Sequence, residues 1–249
     1  MDAMEIKNRL CENNITAFVE TMEDHPCDRD LLCHGLELLE YAASFSPKEV
    51  RKTKGIDVVL DAMNRYPCNS EMQYKCLRAM AAMILDDISM ASATNTVAGA
   101  VLAAMQNFPE EVNVQAAGIT AFSNALMSQS QLLPVETIDI CVVLTAMRNF
   151  PENASVQEGL YVQKRVLSDH PSQLLAAKAR DIGVVLAALR NFPDDAGVIH
   201  DGMGVLVHID PMDVAQAGGY GSVLDAMSRH LDDDGVQECG RDILHNMDR

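Results

Sequence analysis

The chain has 249 residues, a net charge of −17, and 48% apolar but only 4% aromatic residues. Too few Lys and Arg exclude a general nucleic-acid binder, which needs a basic surplus against phosphate. The apolar share excludes bulk disorder, and no apolar run approaches the ~20 residues that cross a bilayer, so membrane insertion is not expected. Seven cysteines without a Cys-x-x-Cys, and an N-terminus without the basic-then-apolar order of a signal peptide, read as reduced thiols in the cytoplasm.

Along the chain one phrase recurs: Val-Leu-x-Ala-Met-x-x-aromatic-Pro. Full copies occupy residues 59–67, 101–109, 143–151 and 185–193, with looser copies at 18–26 and 223–231. The anchors are Met22, Met63, Met105, Met147, Leu189 and Met227, at steps of 41, 42, 42, 42 and 38 residues. A second phrase, Val-Gln or Met-Gln, begins nine residues after four of the anchors, at Met72, Val114, Val156 and Val236. Thirteen residues past the anchors stand Gly35, Cys76, Gly118, Leu160, Gly202 and Gly240, mostly small, as where two helix backbones approach. Twenty past stand Ala42, Met83, Ala125, Leu167, Ile209 and Met247, all apolar. These offsets fall on one helical stripe.

Each unit therefore reads as a medium helix ended at its proline, which cannot continue the hydrogen-bond ladder. An acidic turn and a longer helix follow. About ten residues between units, such as 46–54, 132–137 and 173–180, leave room for a short third helix. Three helices in roughly 42 residues is an armadillo rather than a HEAT or TPR pattern.

From about Ile15 to Met247 the units resemble armadillo repeats, and in particular the armadillo region of leucine-rich repeat kinases and similar eukaryotic scaffolds. The resemblance implies an all-α fold, a right-handed α-solenoid of six armadillo-like repeats forming a single domain over residues 1–249. It also implies a concave protein-binding face. Armadillo proteins that grip extended peptides resemble one another in a Trp and Asn ladder on that face. Here the Asn positions, 19 past the anchors, hold Tyr41, Ala82, Asn124, Val166, His208 and Asn246. The Trp positions, 15 past, hold Glu37, Arg78, Thr120, Val162, Gly204 and Asp242. The ladder is too broken for an importin-like clamp. Val162 and Val166 stand where neighbours are polar, while Lys164 falls on the expected buried stripe. Either this helix is rotated by about one residue to keep its core, or mid-groove carries an apolar contact patch.

The candidate partner-binding residues on this face are Tyr41, Arg78, Asn124, Val162, Val166, His208, Asp242 and Asn246. A second set lies in the turns: Glu110, Glu111, Asp194, Asp195, Asp232 and Asp233. Turn acids cap helices and complement the helix dipole. Stacked along one edge, they would also steer a basic protein partner.

Catalytic and metal signatures are absent. Cys27 and Cys68 lie in equivalent turns without His ligands. His200 and His208 are eight apart on one predicted helix, ~12 Å along its axis. Cys33 and His34 point to different helix faces, so they form no nucleophile–base pair. The Gly202-Met203-Gly204 and Gly218-Gly219-Tyr220-Gly221 clusters lack the Lys and preceding strand of a phosphate loop. His25 and His230 replace the aromatic of the terminal copies, where a ring would lack a neighbour. No catalytic residue, metal or cofactor is expected.

The expected function is a non-enzymatic scaffold that binds another protein. The alternatives are a regulatory armadillo region of a larger enzyme such as a kinase, or a regulator of a small GTPase. The last helix, roughly 236–248, carries the full apolar stripe with only two residues after Met247, so end-to-end or partner contact through the C-terminal repeat is also expected.

Overall fold

Medium helices stop where the sequence supplies a stop. The backbone N–H groups of Tyr66, Phe150, Phe192 and His230 bond the carbonyls of Ala62, Ala146, Ala188 and Ala226 four residues back. The next residue in three of these four is the proline that cannot extend the ladder. Two residues later the long helix begins behind a side-chain cap. Asp28, Asn69, Asn153, Asp195 and Asp233 accept from the N–H groups of Leu31, Met72, Val156, Val198 and Val236 at 3.0–3.1 Å. Such a cap is worth about 1 kcal/mol.

The computed structural model describes residues 12–46, 50, 52–84, 94–127, 138–169 and 181–247, and among these no strand occurs. The chain divides into two compact units, Met1–Leu133 and Pro134–Arg249. The first holds α1 (Glu12–Asp24), α2 (Arg29–Phe45), α3 (Gly55–Arg65), α4 (Ser70–Ile84), α5 (Thr94–Asn107) and α6 (Val112–Met127). Long helix α4 lies between α2 and α6, while α3 touches α1 and α5. The second unit holds α7 (Ile140–Asn149), α8 (Ala154–Gln157), α9 (Gly159–Asp169), α10 (Ile182–Asn191), α11 (Ala196–Leu206), α12 (Pro211–Gln216), α13 (Gly219–Arg229) and α14 (Asp234–Met247). There α11 lies between α9 and α14, and α10 between α7 and α13. Medium and long helices thus alternate as an armadillo solenoid of about six repeats requires. The short third helix is seen as α12; the connectors at 132–137 and 173–180 lie outside the described residues.

The core of each repeat rests on two contacts. Anchors Met22, Met105, Met147 and Leu189 are at most 3% exposed. Each fills a notch made by a glycine of the following long helix. A Cβ on Gly35, Gly118, Gly159 or Gly202 would stand only 2.5–2.8 Å from the tip of that anchor, and Gly240 is related to Met227 in the same way. The small residue therefore admits a side chain, and not the close backbone approach expected from the sequence.

The second contact explains the Val-Gln phrase. Gln73, Gln115, Gln157 and Gln237 each donate from Nε2 to two carbonyls of the preceding medium helix, the anchor's and the one three residues on, at 2.7–3.2 Å. One amide thus satisfies the anchor's carbonyl and adds a second bond to a helix-end carbonyl that already accepts an N–H from the turn, as Phe108 does from Glu111.

Neighbouring repeats are stitched at the turns. Tyr66 Oη donates to the carbonyl of Cys27 (3.2 Å), Asn191 Nδ2 to that of Pro151 (2.9 Å), and His230 Nε2 to that of Pro193 (2.8 Å). His230 therefore has a neighbour after all and does the work of Tyr66. The last helix also departs from expectation. Val236, Gly240 and Ile243 on α14 are buried. The uncovered apolar side chains sit on α13 and just past it: Tyr220 is 50%, Leu224 42% and Leu231 72% exposed. The outward positions Arg241 and Asp242 of α14 are polar, and its buried face meets α11, α12 and α13, while the side chain of Met247 lies outside the described residues.

Candidate protein-binding surface

The long helices of the first unit carry a row of side chains on their exposed face. Tyr41 on α2 lies against Phe45, the rings tilted by 45° with 4.6 Å between their centroids. On α4, Arg78 donates from Nε to Glu40 of α2 at 2.9 Å and from Nη1 to Tyr74 Oη at 2.9 Å. Its guanidinium also lies 5.7 Å from the Tyr74 ring centre, within cation–π range. Lys75 pairs with Glu37, and that hydrogen bond holds the Glu37 carboxyl below its ordinary range. On α6, Asn124 Nδ2 donates to the carbonyl of Ala81 on α4 at 3.0 Å. Much of the polar chemistry of this face is therefore already engaged in holding helix to helix.

The second unit reads differently because α8 and α9 are two pieces of one long helix. Two residues separate Gln115 from Gly118, but one, Glu158, separates Gln157 from Gly159. The helix breaks there, and every later side chain arrives one place early. Gly159 receives Met147 as Gly118 receives Met105. Val162 and Val166, both 0% exposed, occupy the places of the buried Ala121 and Ala125. They are core residues and are withdrawn from the candidate surface. The half-buried positions of Thr120 and Asn124 are filled by Tyr161 and Arg165, which the repeat count passed over. The signal for them was the early glycine at 159 beside a leucine at 160.

Lys164, brought out of the core by the same shift, lays its stem across Gly204, where a Cβ would come within 2.8 Å of Cε. Its Nζ donates to Asp201 at 3.1 Å. Ser168 Oγ lies 3.1 Å from His208 Nε2, but Ser168 donates its own proton to the carbonyl of Lys164 at 2.9 Å. The histidine is then the donor to the serine, the reverse of a nucleophile–base pair. His208 lies past the end of α11 and not on the helix with His200. Asp242 on α14 is exposed; the side chain of Asn246 lies outside the described residues.

The turn acids sort into two groups. Asp195 and Asp233 are spent as caps. The Val236 N–H bond and then the nearby His200, 3.8 Å away, hold the Asp233 carboxyl below its ordinary range. Glu110, Glu111 and Asp232 are exposed, and none of their side chains caps the next helix. Asp194 pairs with Arg229 at 3.0 Å yet keeps 82% of its side chain in solvent. Among the described residues no three His, Cys, Asp or Glu side chains come close enough to share a metal ion, and no helix is long and apolar enough to cross a membrane.

A family model described as LRRK2 ARM repeat matches residues 96–248, more than half of the chain. The chain belongs to the LRRK2 ARM repeat family. No curated protein matches it. Several solved structures share the fold. An engineered protein superposes with a TM-score of 0.70 at 15% identity, covering 94% of this chain and 98% of its own. A designed armadillo repeat protein in complex with the peptide (KR)4 gives a TM-score of 0.67 at 13% identity, covering 94% and 99%. A second designed armadillo repeat protein gives 0.69 at 12% identity, covering 94% and 99%. At these identities the likeness is one of fold, and it places this LRRK2 ARM repeat chain among armadillo solenoids.

Proposed function

We propose that the chain is a non-catalytic armadillo scaffold, its six repeats acting as one solenoid, that binds a basic segment of another protein in the cytoplasm. The candidate contacts for this segment are Tyr41, Arg78 and Asn124 in the first unit and, taken separately, Tyr161, Arg165, His208 and Asp242 in the second. The acid edge of Glu110, Glu111, Asp194 and Asp232 steers it in. The observation that carries this reading is the sorting of the turn acids. Capping accounts for Asp195 and Asp233, and leaves Glu110, Asp194 and Asp232 as solvated carboxylates at one offset, with Glu111 beside them, in a chain of net charge −17. Oppositely charged edges raise association rates and lose that effect in salt. The armadillo fold generally serves protein binding, and one designed relative in fold holds a Lys/Arg peptide. The six described cysteines are all free thiols, which supports the cytoplasmic assignment.

The test uses (KR)4 as probe in fluorescence anisotropy at low and physiological salt. Reversal of Glu110, Glu111, Asp194 and Asp232 to Lys is expected to weaken binding at least tenfold and flatten its salt dependence. Unchanged affinity and salt slope would reduce these acids to ordinary solvated surface. The family match also favours a second reading, that the chain serves as the regulatory armadillo region of a larger kinase. In that case the basic segment is supplied in cis.

A further inference from the structure

We infer that the α13 face of the C-terminal repeat is a docking site for an amphipathic, basic helix of a partner protein, an apolar surface apart from the groove that adjoins the acid edge at Asp232. Tyr220 and Leu224 lie one turn apart on α13, and Leu231 follows in the turn just past its end; all three are exposed. The repeat itself shows what fits such a line. Leu186 on α10 stands three residues before its anchor, as Leu224 does before Met227. Leu186 is 1% exposed because α13 covers it: a Cβ at Gly219 would lie 3.3 Å from Leu186 Cδ2. The occupant for which this stripe is shaped is therefore another helix lying along it.

The surroundings specify that helix's charge. Residues 210–247 contain eight Asp and Glu against two Arg. Arg229, the basic residue on α13, is held by Asp225 at 3.0 Å and by Asp194 at 3.0 Å, so its charge is already matched. Asp232 and Asp234, exposed just past the end of α13, remain outside that pairing. An apolar ridge with acids at its margins matches a helix with leucines on one face and lysines beside them, and opposes an acidic one.

The probe is a synthetic helix of about 18 residues, long enough to hold helical structure, with Leu at i, i+3, i+4 and i+7 and Lys elsewhere. Its Leu/Glu counterpart and a scrambled Leu/Lys peptide of equal composition serve as controls. Amide NMR shifts on the full chain are expected to map the Leu/Lys helix to residues 219–231. Leu224→Asp is expected to weaken it at least tenfold, while Met127→Asp, at another exposed apolar residue, leaves it unchanged. Equal binding of the scrambled peptide, shifts confined to other helices, or indifference to Leu224→Asp would each overturn the proposal. Sedimentation showing a dimer that Leu224→Asp dissolves would overturn it too, since the occupant would then be a second copy of this chain.

Discussion

Between Gln115 and Asn124 the long helix α6 runs unbroken; between Gln157 and Arg165 the corresponding stretch loses a residue and splits into α8 and α9. Both stretches receive the same anchor in the same notch and present two half-buried residues to solvent. What differs is where the repeat's count goes wrong. In α6 burial follows the count, and in α9 the count is followed only up to the glutamine. The glutamine bridge and the glycine notch are therefore fixed points of the repeat. The helical turn between them is elastic, because a single residue rotates everything after it by about 100° and a break absorbs that rotation.

The largest effect should come from inserting one alanine. Placed between Gln115 and Ala116, it swings Ile119, Phe122 and Ala125 out of the core, and we expect the thermal transition of the first unit to be lost. Placed between Gln157 and Glu158, it supplies the missing residue, and we expect helicity by circular dichroism and the melting midpoint to hold or rise. Equal damage from the two insertions would break the comparison. Next in size is the shared bridge. Gln115→Leu and Gln157→Leu each strand the anchor's carbonyl, since Phe108 and Phe150 keep a turn N–H, with an expected cost of about 1–3 kcal/mol per variant, read from the denaturation midpoint. If only one of them is costly, the bridge is not a fixed point of both units.

The smallest effect belongs to the break. Partial burial, and then the charge of Asp195, hold the Glu158 carboxyl above its ordinary range. A carboxyl whose folded pKa is raised disfavours the folded state once ionised. The penalty is absent below the unfolded value near about 4.3 and grows as pH climbs through the raised one. Glu158→Gln should therefore gain stability over the parent at pH 7, by less than about 1 kcal/mol for so exposed a charge, and match it in acid. Melts at the two pH values check this; Ala116→Gln in α6 should show no such pH dependence.

Much of this was legible because repetition writes the same chemistry several times. The anchors, the proline stops and the residues at the helix starts could be read from their offsets. The break at Glu158 was harder to see, because the step from Met147 to Leu189 is still 42 residues, so a period count passes over it. Lys164 on a buried stripe was the visible symptom, and it raised the rotation as one of two readings. The early glycine at 159 was the one local pointer to Tyr161 and Arg165, whose exposure depends on a residue missing upstream. The glutamine bridge went unread for a different reason: the phrase was visible, but its two acceptors lie 7 and 10 residues back on another helix.

The anchors also have a redox consequence. A thioether buried over a glycine notch is out of reach of peroxide while the helices are closed, and oxidation would place a polar sulfoxide oxygen in a gap that has no room for it. Met22, Met105 and Met147, each 1% exposed, should therefore oxidise only as fast as their repeats open, while Met127 and Met212, at 62% and 51%, oxidise at once. Mass spectrometry of a peroxide time course would thus time the breathing of the solenoid repeat by repeat, with a gap at the fifth, where Leu189 keeps no such clock.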